Sequence, residues 1–125
     1  MKRGRSFARR MRPHVEAELR AAAGLEAHGD AAAAFAHLER AHVLGQSSTV
    51  LHVRVHWRML VWGWRRRSLR ECLGQLLRLA GAATKTGLGL VPLGNTGGAN
   101  VSAFRRMPLS PELAALMREA DAAED

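Results

Sequence analysis

The sequence predicts an all-α domain. The expected architecture is a four-helix antiparallel arrangement of two helical hairpins, followed by a Gly/Pro-rich irregular segment that wraps back and a short terminal helix. Three observations predict it. Apolar residues recur at helical spacing. The periodic stretches are bracketed by residues that start and stop helices. The one run with strand-like alternation has no second strand to pair with.

Pro13 suits the first turn of a helix, and HVEAELRAAAGLEAH continues it with glutamates near the start. Residues 1–12, which carry six positive charges and no acid, are then expected to be a flexible basic arm, with residues 13–125 forming a single helical domain. Gly29 ends the first helix and Asp30 caps the second. That second helix, DAAAAFAHLERAHVLG, places Ala31, Ala34, Phe35, Leu38 and Ala41 at helical spacing and stops at Gly45. Ser47 or Ser48 caps the third element. LHVRVHWRM alternates apolar and polar residues as a half-buried strand does, yet it runs on through LVWGW without alternation. With a cap before it and only helices around it, it is read as a helix.

Ser68 caps a fourth helix, SLRECLGQLLRLAGAAT, whose Leu69, Cys72, Leu73, Leu76 and Leu79 share one apolar face. After Thr86 the stretch GLGLVPLGNTGGANVSAFRRMPLSP holds five glycines and three prolines in 25 residues, too many for sustained regular structure. It also holds Leu88, Leu90, Val91, Leu93, Val101, Phe104, Met107 and Leu109, too many apolar residues for a free tail. A short helix, PELAALMREA, follows Ser110. The spacing of 34 residues from Gly29 to Gly63 matches a tetratricopeptide period, although two hairpins fall short of the three repeats such arrays need.

Composition narrows the function classes. A chain of 125 residues, 47% apolar and 24% charged, is one soluble globular domain. Its single cysteine, Cys72, excludes an intramolecular disulfide and a CxxC metal site, and fits a reducing compartment. The net charge of +8 comes from 17 arginines against two lysines, an imbalance that resembles the codon bias of a GC-rich bacterial genome. No secretory signal is recognisable, and no apolar run approaches the ~18 residues of a membrane span. The expected location is the cytoplasm.

The informative pattern is ERAHVLGQSSTVLHVRVHWRML, which gathers three of six histidines around one polar turn. On a helix at about 100° per residue, Arg54, Arg58 and Arg65 form one stripe, and His52 and His56 fall roughly opposite it. His42 lies three residues before Gly45 and His52 four residues after Ser48, so an antiparallel hairpin sets them face to face. Glu39, one turn further back, is then expected opposite His56. A Glu-x-x-His pair facing a His-x-x-x-His pair across packed helices is a metal-ligand layout suited to zinc, copper, nickel or iron. Hydrogen-bonding core histidines are the commoner arrangement and compete with that reading. His14, His28 and His37 are expected to be exposed and are assigned no role.

Other signals are weaker. Asn95, Thr96, Gly97, Gly98 and Asn100, with Gln46 of the hairpin turn, form a candidate binding loop whose amides suit an anion. A chain-turning role, with the asparagines bonding their own backbone, is the more frequent one. The segment lacks the lysine and hydroxyl of a P-loop, and no HExxH signature is present. Cys72 reads as an inert thiol and no Ser/His/Asp arrangement emerges, so no catalytic residue is assigned and a non-enzymatic protein is favoured. The basic runs, with Trp57, Trp62 and Trp64 beside WRRRSLR, offer phosphate contacts and base stacking. No recognition helix accompanies them, so nucleic acid ranks below a protein partner, and no membrane partner is expected.

Two blocks, LERAHVLGQ and GNTGGANVS, resemble a small bacterial family known as domain of unknown function 3703 (DUF3703). The resemblance runs over roughly residues 13 to 118 and includes His42, His52 and His56. It implies one compact domain and no established activity, and it loosely implies genes found near metal-resistance functions. Two functions are therefore carried forward: a metal-binding or metal-handling protein built on Glu39, His42, His52 and His56, and a non-enzymatic helical interaction module.

Overall fold

The computed structural model describes residues 4–87, 92–102 and 105–123. Among them the chain forms helices and no strand: α1 (Arg5–Ala27), α2 (Ala31–Gly45), α3 (Thr49–Arg65), α4 (Leu69–Gly87) and α5 (Pro111–Ala122). Helix α1 packs along α2, α3 packs along α4, and α2 packs on α3, so the two pairs meet through the central helices. Helix α5 returns to lie against α1 and α2. No helix among the described residues is long and apolar enough to cross a membrane.

The first helix starts earlier than the sequence predicts. Pro13 lies inside α1, and the residues expected to form an arm are helical from Arg5. An internal proline costs ~3 kcal/mol through its missing N–H and its ring clash. Burying Phe7 and Met11, each 1% exposed, offsets this, because a fully buried side chain of that size contributes about 1.5–3 kcal/mol. Phe7, Met11, Val15, Leu19 and Ala22 form one continuous buried stripe on both sides of the proline. Tertiary packing overrides the local signal.

The helix ends follow their cap residues. Gly29, at φ 84°, closes α1 with bonds from Gly29 N to the Glu26 carbonyl and from Asp30 N to the Leu25 carbonyl. The Asp30 carboxylate accepts from Ala33 N, the Ser48 hydroxyl from Leu51 N, and the Ser110 hydroxyl from Leu113 N. Gly45 lets α2 meet α3 closely, since a Cβ there would lie 3.0 Å from the Leu51 Cβ. The alternating LHVRVHW run is helical, with Leu51, His52, Val55, His56, Met59 and Gly63 buried on one face.

Gly29 and Gly63 do different work: the first ends α1, while the second lies within α3, where a Cβ would press on Glu71. Their spacing therefore marks no repeat. The tryptophans also divide. Trp62 packs against Phe35 with the rings tilted and donates to the Ala31 carbonyl, whereas Trp57 and Trp64 are exposed.

Helix α4 turns a different face inward than its apolar pattern predicts. Leu69, Leu73 and Leu76 are exposed, and Cys72 and Leu79 are half-buried. The buried positions are Glu71, Gln75 and Ala82, with Gln75 fully enclosed. Polar groups go inside only where they find partners, and those partners define the site below. The expected ordering of the glycine-rich segment holds for 92–102 and 105–110, where Asn95 Nδ2 bonds the Ser102 and Arg105 carbonyls. Leu88, Leu90, Val91 and Phe104 lie outside the described residues.

Candidate metal centre

His42 projects from the last turns of α2, and His52 and His56 from the first two turns of α3. The short connection GQSS, ended by the Ser48 cap, joins two helices that pack on each other, and all three imidazoles are buried together. Their Nε2 atoms form a nearly equilateral triangle. His42 Nε2 lies 3.0 Å from His52 Nε2 and 3.1 Å from His56 Nε2, and the latter two are 3.0 Å apart.

The opposite ring nitrogens are tied down. His42 Nδ1 donates to the Asn95 carbonyl at 2.6 Å, and His56 Nδ1 donates to Gln75 Oε1 at 2.5 Å. The amide of Gln75 cannot be turned round, because its Nε2 donates to Glu71 Oε1 at 2.7 Å and to the Gly97 carbonyl at 2.9 Å, both acceptors. Two of the three imidazoles therefore carry their proton on Nδ1 and aim an Nε2 lone pair at the centre of the triangle. Hydrogen-bonded Nδ1 with a free Nε2 is the state in which histidine binds a metal.

Electrostatics keep these rings neutral. Burial holds His42 well below the ordinary histidine range, the neighbouring His56 and His52 add to this, and the Asn95 carbonyl opposes it. Burial likewise lowers His56 to about 4, against the opposing bond to Gln75. Neutral imidazoles are ligands without first having to lose a proton.

The triangle could hold a metal ion. With metal–nitrogen bonds of about 2.0–2.1 Å, an ion would sit roughly 1 Å from the plane of the three nitrogens, at N–M–N angles of about 95°. That lies near the ~90° of an octahedral face, and opening each edge by about 0.3 Å gives the tetrahedral angle.

The glycine-rich segment covers the cluster. Gly97, at φ 84°, lies against the His42 ring, where a Cβ would come within 2.5 Å of Cδ2. Gly98 lies against Phe35, and Gln46 Nε2 ties the segment to α2 through the Pro92 carbonyl at 2.6 Å. The amides of this segment serve internal acceptors: Gly97 N donates to Asn95 Oδ1, and Ala99 N reaches both carboxylate oxygens of Glu71 at 3.2 Å. Asn100 is exposed.

Residues 9–117 match the family described as "Protein of unknown function (DUF3703)". The chain belongs to this family. No curated protein and no solved structure matches the chain.

Of the residues singled out in this DUF3703 chain, His42, His52 and His56 converge, and theirs is the group whose ligand atoms lie within 4.8 Å of one another. Glu39 stands outside that group. It lines a neighbouring cavity of about 160 Å³ with Gly94, Thr96 and Leu113. Burial raises its carboxyl pKa, and a hydrogen bond from Thr96 works against that rise. Two of the remaining histidines are engaged elsewhere: His37 bonds Glu18 and His28 bonds the Gly24 carbonyl. The arginines opposite the cluster are half-buried or exposed and reach α1, with Arg54 on Glu16, Arg65 on Glu26 and Arg58 on the Leu19 carbonyl.

Sequence reasoning missed Gln75 and Glu71. One signal was available, since Glu71 is the one acid between Glu39 and Glu112 and Gln75 follows it at the i+4 position of the same helix.

Proposed function

We propose that the chain is a small metal-binding protein that holds one first-row transition-metal ion through the Nε2 atoms of His42, His52 and His56. The hairpin of α2 and α3 is read here as antiparallel, as is that of α1 and α2, with the glycine-rich segment closing over the ligands. The observation that carries the reading is the triangle of Nε2 atoms, 3.0–3.1 Å on each side, with His42 and His56 held as Nδ1–H tautomers by fixed acceptors.

A buried histidine network explains this arrangement less well. A proton on His52 Nε2 serves one or both neighbours, but leaves the lone pairs of His42 and His56 opposed at 3.1 Å. A cation satisfies all three at once. An interaction module gains less support, because Arg54 and Arg65 are engaged by acids of α1. Zinc, copper, nickel and iron all suit imidazole.

The test is a calorimetric titration of untagged, metal-free protein with Zn(II), Cu(II), Ni(II) and Fe(II). One equivalent should bind to wild type, and a His52→Ala, His56→Ala double variant should lose that binding. Absence of stoichiometric binding, or binding unchanged in the double variant, contradicts the reading.

A further inference from the structure

Two hydrogen bonds connect the metal-facing imidazole of His56 to a buried carboxylate. His56 Nδ1 donates to Gln75 Oε1, and Gln75 Nε2 donates to Glu71 Oε1. Glu71 is 8% exposed and forms no ion pair among the described residues. Among the described residues its carboxylate also accepts from the Ala99 amide, at 3.2 Å from each oxygen. Arg78 is near enough to feel the charge: burial lowers its pKa and Glu71 opposes that. Its Nη atoms, however, donate to the Gly74 and Val101 carbonyls.

A buried carboxylate with no paired cation is costly, whereas an amide in its place meets the same two donors at no charge. The side chain also packs closely on α3, since a Cβ at Gly63 would lie 3.1 Å from the Glu71 Cβ and 3.2 Å from its Cγ. Something other than packing calls for the negative charge. Three neutral imidazoles around a divalent ion leave the whole +2 charge in a buried interior, and the relay ends at His56, whose proton is held by the Gln75 side chain.

We infer that Glu71 is the counter-charge of the metal centre and that Gln75 is the positioning residue that transmits it, fixing the tautomer and orientation of His56. The inference rests on the metal-binding reading. Gln75 also bonds the Gly97 carbonyl, so the same amide aligns His56 and the segment that covers His42. Outer partners of metal-bound histidines typically change metal affinity by about 10–100-fold.

The experiment compares wild type with Glu71→Gln, Glu71→Asp and Gln75→Leu, measuring Zn(II) affinity, the visible spectrum of the Co(II) forms and the unfolding midpoint of each metal-free protein. Glu71→Gln should bind Zn(II) about 10–100-fold more weakly. Its metal-free midpoint should be equal to or above that of wild type, and its Co(II) bands should be unmoved. Glu71→Asp, which keeps the charge, should bind more tightly than Glu71→Gln. Gln75→Leu should weaken binding and shift the Co(II) bands, because His56 is no longer held.

Equal affinity in wild type and Glu71→Gln overturns the inference. So does a Glu71→Gln variant whose metal-free form is destabilised, or a Glu71→Asp variant that binds no better than Glu71→Gln. Failure of wild type to bind Zn(II) and Co(II) refutes the metal reading instead.

Discussion

His42 and His52 are ten residues apart in sequence, and their Nε2 atoms lie 3.0 Å apart in the core. The three-residue connection between α2 and α3 produces this contact, and His56, one helical turn beyond His52, completes it. If the contact exists to hold an ion, the ion should stabilise the fold. A ligand that binds only the native state adds about 2.7 kcal/mol at a free concentration 100 times its Kd. For a chain of this size that is a rise of several degrees in Tm. Scanning calorimetry with and without Zn(II) should show the rise in wild type, and His42→Ala should abolish it. An equal rise in both proteins places the binding elsewhere.

The buried imidazoles make the metal-free protein acid-sensitive. His56 titrates at about 4 in the native state, against an ordinary value of 6.5. Between these two values the unfolded chain takes up a proton that the native chain refuses. Stability is therefore full above about pH 6.5 and falls as pH drops towards 4, by on the order of 3 kcal/mol from His56 alone. His42 is lowered too and adds to the loss. Glu39, with its raised pKa, acts in the opposite direction nearer the carboxylate range. Urea midpoints at about pH 7.5, 6 and 5 should decline steadily, and His42→Ala should flatten the decline. A flat wild-type profile is inconsistent with neutral buried histidines.

Gly97 of the covering segment lies against the His42 ring. Gly97→Ala places a methyl against the His42 ring and strains a backbone at φ 84°. The left-handed conformation alone costs roughly 1–2 kcal/mol for a residue with a Cβ. The variant should lose at least that much stability and a larger share of its metal affinity, read by denaturant unfolding and Zn(II) titration. Gly24→Ala, at a position with open space around it, serves as the control and should be neutral or slightly stabilising.

The hairpin histidines were legible because helical spacing and a short turn fix which side chains face each other. Glu39 stands outside the histidine group, and the facing rule gives register but not the direction of a side chain that finds its own partner in Thr96. Helix α4 misled for a related reason. Its leucines mark the more apolar face, yet Glu71 and Gln75 turn inward because His56, Gly97 and Ala99 satisfy them. Those partners come from distant parts of the chain, and no local pattern contains them. Pro13 misled because proline reports local preference, whereas the helix is held by the stripe that Phe7 and Met11 begin.

The early start of α1 has its own test. Phe7 is 1% exposed within the main core, so Phe7→Ala should cost about 3–5 kcal/mol in denaturant unfolding. A flexible arm would lose nothing.

The most direct test of the central claim is X-ray absorption spectroscopy on the zinc-loaded protein. Three imidazole nitrogens at about 2.0–2.1 Å from the ion are predicted, and the His52→Ala, His56→Ala variant should show no ordered imidazole shell. A wild-type spectrum with sulfur or carboxylate oxygens as the main donors, or with fewer than three imidazoles, would contradict the account.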